Sequence, residues 1–337
     1  MVSTQSEAVL RRLEAAGFQP GHIIGWHRLS GGTSNIVLRV TLTNRDAFIL
    51  KFPREPADAH VLDPLRCSLA AEAAFYKSAA GVVPTARLVH FAPAGRRDGP
   101  FLITTACPGS SWDQNTDTVS PTEEERLRRD LGQLTAYLHS VTGPGFGHPA
   151  EAMLPSRGGW RHSYGRVLQE TLALAEQHAA TGPVPIGRLR RLLNAAAPAL
   201  DHVEMPRLVH MDLRKGNVII AGRPGSRRIT GLIDGERMLW GDPLADFASL
   251  ALLGELSDTD PFWVGYQAEN GSRNFDLFGR TRYAVYQCQL SLVLLIEASH
   301  PEATPQERRG LRTLAEPALA ASLKVLAEFE SGSIQGE

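Results

Sequence analysis

Leu208-Val209-His210-Met211-Asp212-Leu213-Arg214-Lys215-Gly216-Asn217-Val218-Ile219-Ile220 is the stretch whose reading decides the fold, together with Leu232-Ile233-Asp234 downstream. Residues 218–221 and 229–233 are short apolar runs rich in β-branched side chains. Between them, Gly222-Arg223-Pro224-Gly225-Ser226-Arg227-Arg228 is polar and rich in turn formers. Two such runs predict a β-hairpin. A hairpin returns the chain to its starting end. Asn217, just before the first strand, and Asp234, just after the second, should therefore meet. Asp212 lies five residues before Asn217, in the loop that leads into the hairpin.

This order of groups suits phosphoryl transfer, which needs a carboxylate beside the attacking hydroxyl and oxygen ligands for magnesium. Asp212 reads as the group that accepts or orients the hydroxyl proton. Asn217 and Asp234 read as metal ligands, and His210 as the scaffold of the loop. The competing reading is an Asx-rich turn with two capping acids. It accounts for His-x-Asp alone, but not for the whole set with its hairpin.

The segment resembles the catalytic loop and metal-binding Asp of the aminoglycoside phosphotransferase and choline kinase family, which shares the protein-kinase-like fold. Ile233-Asp234-Gly235-Glu236, continuing to Gly241-Asp242-Pro243-Leu244-Ala245-Asp246-Phe247, is similar to that family's "IDxE…GDPxxDLA" signature. Asp242 and Asp246 read as structural. Asp246 precedes an apolar helical run, where a carboxylate can cap the first turn or brace the catalytic loop. Met211 departs from the commoner glycine. Arg214 and Lys215 stand where several members carry small or acidic residues, and a cation there can stabilise the departing γ-phosphoryl.

The resemblance implies an N-terminal nucleotide lobe. Ser30-Gly31-Gly32-Thr33-Ser34, ahead of the strand-like run 36–40, is similar to the family's phosphate-covering loop, without the full G-x-G-x-x-G. Small residues there let backbone N–H groups approach phosphate oxygens. Lys51 sits inside the strand-like Ala47-Phe48-Ile49-Leu50-Lys51-Phe52. Asp63-Pro64 reads as the start of a helix running to about Gly81, with Leu65, Leu69, Glu72 and Tyr76 on one face. A lysine and a glutamate that are both buried need each other, so a Lys51–Glu72 ion pair is expected. The alternative is a Lys51 that snorkels from a strand edge and a solvated Glu72. In the family this lysine contacts the α- and β-phosphates. Residues 101–109 read as the last strand of the lobe and a hinge. Backbone groups from Thr105 to Cys107 would face the purine, and the Pro108-Gly109 turn marks the boundary.

Composition agrees. Of 337 residues, 43% are hydrophobic and 21% charged, which suits two domains with cores of their own. Lys and Arg number 35 against 36 Asp and Glu, leaving no basic arm for nucleic acid. Cys67, Cys107 and Cys288 are widely spaced, which fits a reducing, cytoplasmic compartment and argues against a disulfide scaffold or zinc site. Residues 1–18 have no apolar signal core; Thr4 and Glu7 read as the capping box of a short amphipathic helix. No apolar run is long enough to span a membrane.

Ser120-Pro121-Thr122-Glu123 reads as another capping box, with Leu127, Leu131, Leu134 and Leu138 following at helical spacing. His139 after them reads as a packed or capping histidine. Residues 151–204 should hold two or more helices, and residues 261–329 the same. In the family such additions cradle the acceptor, so its site is expected between them and Asp212. Glu255, Asp258 and Asp260 form an acidic cluster that is either a solvated loop or part of a site for a polycation.

The expected fold is α+β and bilobal. Residues 1–107 form a nucleotide-binding lobe of antiparallel sheet with one helix, and residues 108–337 a mainly helical lobe for catalysis and acceptor. The expected reaction moves the γ-phosphoryl of ATP or GTP, with Mg2+, to a hydroxyl of a small molecule. The resemblance favours an aminoglycoside or related antibiotic, the outcome being resistance by inactivation. A metabolic kinase for choline, homoserine or a sugar is the alternative. A non-catalytic nucleotide-binding module is another, against which Lys51, Asp212, Asn217 and Asp234 all speak. No Asp-Phe-Gly or Ala-Pro-Glu signature supports a protein kinase. Monomer and dimer both stay open.

Overall fold

A computed structural model of the chain describes residues 4–29, 35–54, 68–96, 98–149, 158–269, 271, 275–301 and 303–334. Helix α1 (Thr4–Ala15) leads into β1 (Ile23–Arg28), β2 (Asn35–Leu42) and β3 (Ala47–Pro53). Helix α2 (Leu69–Ala79) and strands β4 (Leu88–Ala92) and β5 (Phe101–Thr105) follow. The strands form one antiparallel sheet in the order β1-β2-β3-β5-β4. Strand alternation divides the residues of β3. Leu50 and Phe52 point to a small core with Val9 and Leu13 of α1, Val40, Phe101 and Ile103. Lys51 points the other way, to the face under α2. The Oγ of Ser68 caps α2 by accepting the Ala71 N–H at 3.0 Å. The expected helix start at Asp63-Pro64, with Leu65, lies outside the described residues, as do the Ser30–Ser34 loop and Cys67.

Beyond Thr105 the chain leaves this sheet. It enters β6 (Ser110–Ser111), then α3 (Pro121–Ser140), α4 (Trp160–Gln177), α5 (Ile186–Ala196) and β7 (Arg207–Val209). The hairpin β8 (Val218–Ala221) and β9 (Arg228–Leu232) is followed by β10 (Leu239–Gly241). Helices α6 (Leu244–Leu252), α7 (Phe262–Ala268), α8 (Leu277–Ser299) and α9 (Pro305–Ile334) complete the chain. The expected hairpin is present, with β6 added on its outer side. Both helical regions are present too: α4 and α5 in the first, α7 to α9 in the second. Helix α8 is buried almost all round, as a helix at the centre of a core must be. No helix among the described residues is long and apolar enough to cross a membrane.

One local reading needs correction, and for Asp246 the second of its two alternatives holds. Ser120 does cap α3, its Oγ accepting the Glu123 N–H at 3.3 Å. Glu123, however, does not reach back to complete a capping box. Its buried carboxylate accepts the Gly225 and Arg227 N–H groups at 3.0 and 2.7 Å and pairs with Arg227 Nη1 at 2.9 Å. Three donors from the β8–β9 loop outcompete one from the helix end. The carboxylate that caps α6 is Asp242, accepting the Leu244 N–H at 3.1 Å. Asp246 lies inside that helix and braces the catalytic loop instead. For Thr4 no side-chain geometry is described, so its capping box stays outside the described structure.

Candidate active site

Four elements meet where α2, β3 and the ends of β7 and β9 converge. Lys51 Nζ donates to Glu72 Oε2 at 2.8 Å, to Asp234 Oδ1, and to Glu236 Oε2 at 3.4 Å. The expected Lys51–Glu72 pair is thus one arm of a larger node. Tyr76, one turn after Glu72, donates to Glu72 Oε1 at 2.9 Å and accepts the Asp234 N–H at 3.3 Å. Glu236 also accepts from Asn35 Nδ2 at 2.9 Å, and its backbone carbonyl takes the Ser68 N–H at 3.1 Å. The segment after β9 is therefore tied to both β2 and the start of α2. Gly235 allows that approach, because a Cβ there would lie 2.3 Å from Phe75 Cγ.

One lysine faces three carboxylates here, and the pKa values follow from that imbalance. Burial alone would lower Lys51, but Asp234, Glu72 and Glu236 together hold it well above its usual value. Burial lifts Glu72 from 4.5 to about 7 against the pull of Lys51. Burial also raises Glu236. Asp234 goes the other way: burial opposes ionisation, but contact with Lys51 holds it below the usual carboxylate range. Glu72 is thus the carboxylate that keeps a proton near neutrality.

The loop from His210 to Asn217 is built on Asp246. Its fully buried carboxylate accepts the His210 N–H at 3.0 Å, the Met211 N–H at 2.5 Å, and a bond to His139 Nε2 at 3.0 Å. His139 is held from its other nitrogen by Tyr266 at 2.9 Å, so it is packed, as expected. His210 spans the loop from within. Its Nε2 meets the Ile233 carbonyl at 3.0 Å, and its Nδ1 accepts the Asp212 N–H at 3.3 Å. A carbonyl only accepts, so the proton resides on Nε2. His210 is the scaffold the sequence suggests, joining the loop before Asp212 to the strand before Asp234.

Asn217 joins the remaining pieces. Its Nδ2 donates to the Asp212 carbonyl and to Asp212 Oδ2, both at 2.8 Å. Its own carbonyl accepts the Ile233 N–H at 3.0 Å. Among the described residues, neither Asn217 Oδ1 nor Asp234 Oδ2 accepts a hydrogen bond. An amide oxygen and a carboxylate oxygen left without donors at one end of a hairpin fit a hard divalent cation such as Mg2+. The carboxylates of Glu72, Asp234 and Glu236 also lie within 4.8 Å of one another. Lys51 already occupies the middle of that trio, so the pair Asn217 and Asp234 is the better ligand set.

The other expected site residues divide. Arg214 donates from Nε to both oxygens of Asp212, at 3.2 and 3.3 Å. Lys215 is drawn off to α3: its Nζ pairs with Glu124 at 2.7 Å and lies 5.4 Å from the Trp112 ring centroid. At the hinge, the Thr105 N–H donates to the Arg87 carbonyl and the Ala106 N–H to the Ala47 carbonyl, each at 2.9 Å. Those two donors serve the sheet. Burial lifts the Cys107 thiol to about 11, which keeps it inert. The acidic cluster divides: Asp258 is exposed on the loop, while Asp260 and Glu255 face Arg128. Asp260 receives Arg128 through two bonds of 3.0 Å, and Glu255 lies 3.7 Å from the same guanidinium. Sequence reasoning missed Glu236 and Asn35 as members of the lysine node. Glu236 is the last residue of the quoted Ile-Asp-Gly-Glu motif, which was the available signal.

A family model described as the phosphotransferase enzyme family matches residues 25–286. No curated protein matches the chain. Among solved structures, a protein assigned as a fructosamine-3-kinase from Thermobifida fusca YX-ER1 superposes with a TM-score of 0.63 at 20% identity, covering 94% of this chain and 100% of that one. A thermostable mutant of aminoglycoside phosphotransferase APH(4)-Ia, in ternary complex with AMP-PNP and hygromycin B, gives 0.59 at 15% identity, over 94% and 97%. The GDP complex of a variant aminoglycoside 2′-phosphotransferase-IIIa gives 0.55 at 19%, over 97% and 98%. At these identities the likeness is one of fold: an antiparallel N-terminal sheet joined to a mainly helical C-terminal part.

Proposed function

The chain belongs to the phosphotransferase enzyme family, and on that premise we propose how its residues move a γ-phosphoryl group from a nucleoside triphosphate to a hydroxyl of a small molecule. Residues 1–107 form the nucleotide lobe and residues 108–337 the catalytic and acceptor lobe. Lys51, positioned by Glu72, contacts the phosphates. Asn217 and Asp234 would hold Mg2+, which would supply neutralisation of phosphate charge when bound. Asp212 orients the acceptor hydroxyl and takes its proton. Catalysis on this reading is positioning and charge neutralisation.

The observation that carries the reading is the Asn217 side chain. It holds Asp212 through Nδ2, while among the described residues its Oδ1, at the hairpin end that leads into Asp234, accepts no hydrogen bond. The test is Asp212→Ala. Turnover, read as nucleoside diphosphate release with an acceptor panel, should fall about 10³-fold. Binding of Mg-ATP or Mg-GTP, read by thermal shift, should survive. Undiminished transfer in the variant would refute the assignment of Asp212.

Two acceptor classes follow from the family. One is an aminoglycoside or related antibiotic, with resistance by inactivation as the outcome. The other is a metabolic hydroxyl compound such as choline, homoserine or a sugar. The ion pairs speak for the second. An aminoglycoside is a polycation and needs carboxylates to receive it. Here Arg128 already neutralises Glu255 and Asp260, and Lys215 neutralises Glu124. The two described cysteines, Cys107 and Cys288, are free thiols, which supports a reducing, cytoplasmic setting.

A further inference from the structure

Asp212 is covered in this structure. Arg214 donates from Nε to both of its oxygens, and Asn217 holds Oδ2 from the other side. The Asp212 side chain is 15% exposed and that of Arg214 44% exposed, so the guanidinium forms the solvent side of the carboxylate. An acceptor hydroxyl must come within hydrogen-bond reach of Asp212. Arg214 covers Asp212 from solvent, so a group that reaches the carboxylate from this side displaces it.

The chain makes that displacement easy. An exposed ion pair contributes little, so a better anion can draw the guanidinium off. Gly216 leaves room for the guanidinium where it now sits. The point where its Cβ would stand is 3.0 Å from Arg214 Nη1 and 3.4 Å from Asp113 Oδ2. An ammonium group, by contrast, meets a cation at the Asp212 carboxylate.

We propose that Arg214 selects the acceptor: it binds a carboxylate or phosphate that the acceptor carries beside its reacting hydroxyl, and in binding it releases Asp212. The proposal rests on the phosphotransferase reading above and narrows the acceptor to anionic hydroxy compounds. Sugar acids, hydroxy acids and sugar phosphates share that chemistry. In the step itself, the acceptor oxygen forms the new bond to γ-phosphorus as the bond from phosphorus to the β,γ-bridging oxygen breaks. The nucleoside diphosphate leaves with that electron pair, and the hydroxyl proton passes to Asp212 and on to solvent.

The test compares gluconate, glucose 1-phosphate, glucose and neomycin as acceptors for the wild-type chain, Arg214→Ala and Arg214→Lys. The readout is nucleoside diphosphate release with magnesium and ATP or GTP. The wild-type protein should favour an anionic acceptor over glucose at least tenfold in kcat/KM. Arg214→Ala should erase that ratio by raising the acceptor KM, with the nucleotide KM unmoved. Arg214→Lys should restore part of it, since a point charge replaces a two-pronged donor. Preference for neomycin overturns the proposal. So does an Arg214→Ala defect that is equal for every acceptor and raises the nucleotide KM, because that places the guanidinium on the γ-phosphoryl. Failure of both anions to bind by calorimetry, with AMP-PNP and magnesium present, overturns it as well. Asp212→Ala in the same assay reports on the underlying assignment separately, because it moves turnover for all acceptors and leaves their ratio alone.

Discussion

Replacing Asp246 by asparagine should loosen the catalytic loop without opening a cavity. The carboxylate has no exposed surface, and each of its oxygens meets a backbone donor: Oδ2 takes the His210 N–H, together with His139, and Oδ1 takes the Met211 N–H. An amide of the same shape has one oxygen and one NH2. Whichever way it turns, one backbone N–H faces the NH2 and loses its acceptor. An orphaned buried donor costs about 1–3 kcal/mol, and bonds that lose a charged acceptor weaken by about 1 kcal/mol each. The variant should therefore lose about 3–4 kcal/mol, a fall of roughly 4–6 °C in Tm for a chain of this size. Differential scanning fluorimetry reads the total. Hydrogen exchange of the His210 and Met211 amides reads the place. Asp201→Asn is the control. It removes an exposed pair with Arg161, 3.0 Å apart with both side chains about half exposed, and should change stability by about 0.5 kcal/mol or less. If Asp246→Asn melted within a degree of wild type and its loop amides exchanged at wild-type rates, the bracing argument would be wrong.

Glu72 supplies a pH signature. Its carboxyl titrates near 7 in the fold against an ordinary 4.5, so the native state holds an extra proton between those values and stability falls as pH rises through them. The fall is about 3 kcal/mol at most, and Glu236, also raised, acts in the same direction. Asp234 is held low and Lys51 high, so both titrate outside this window. In Glu72→Gln the difference in Tm from wild type should therefore move upward from pH 5 to pH 8; a flat difference would contradict the assignment. Glu123→Ala should strand the Gly225 and Arg227 amides and the buried Arg227 guanidinium, at about 3–5 kcal/mol. Limited proteolysis should then cut the 222–227 loop readily, and an uncut loop at unchanged Tm would count against it.

The parts of the molecule that sequence reasoning reached are those where one short segment carries its own constraint. The β8–β9 hairpin follows from two apolar runs and a turn-rich loop, and it alone brings Asn217 to the end of the strand before Asp234. The Lys51–Glu72 pair follows from burial, because each charge on an apolar face requires the other. What escaped depends on partners distant along the chain. Ser120 to Glu123 has the local pattern of a complete capping box, yet Gly225 and Arg227, about a hundred residues on, claim the Glu123 carboxylate. Glu255 and Asp260 look like free acids until α3 brings Arg128 against them. Lys215 looks like a site cation until Glu124 on α3 takes it. None of these competitions has a periodicity or a turn signal to announce it.

Backbone strain explains why Asp246 is placed as it is. Met211 and Asp234 both adopt left-handed backbone angles, φ of 68° and 66°, at the two chain segments that His210 bridges. Asp tolerates that region through its short polar side chain, but for methionine it costs about 1–2 kcal/mol relative to glycine. A residue held there persists only where its surroundings over-determine it. At Met211 they do. Its N–H is fixed by Asp246, its carbonyl accepts from Ser249 Oγ at 2.7 Å, and its side chain is buried. Both fixing groups lie on α6, three residues apart and so on one face of that helix. The helix thus sets the turn of the catalytic loop, and the loop sets where Asp212 points. A methionine is compatible with this geometry because α6, rather than the freedom of the residue itself, imposes the conformation.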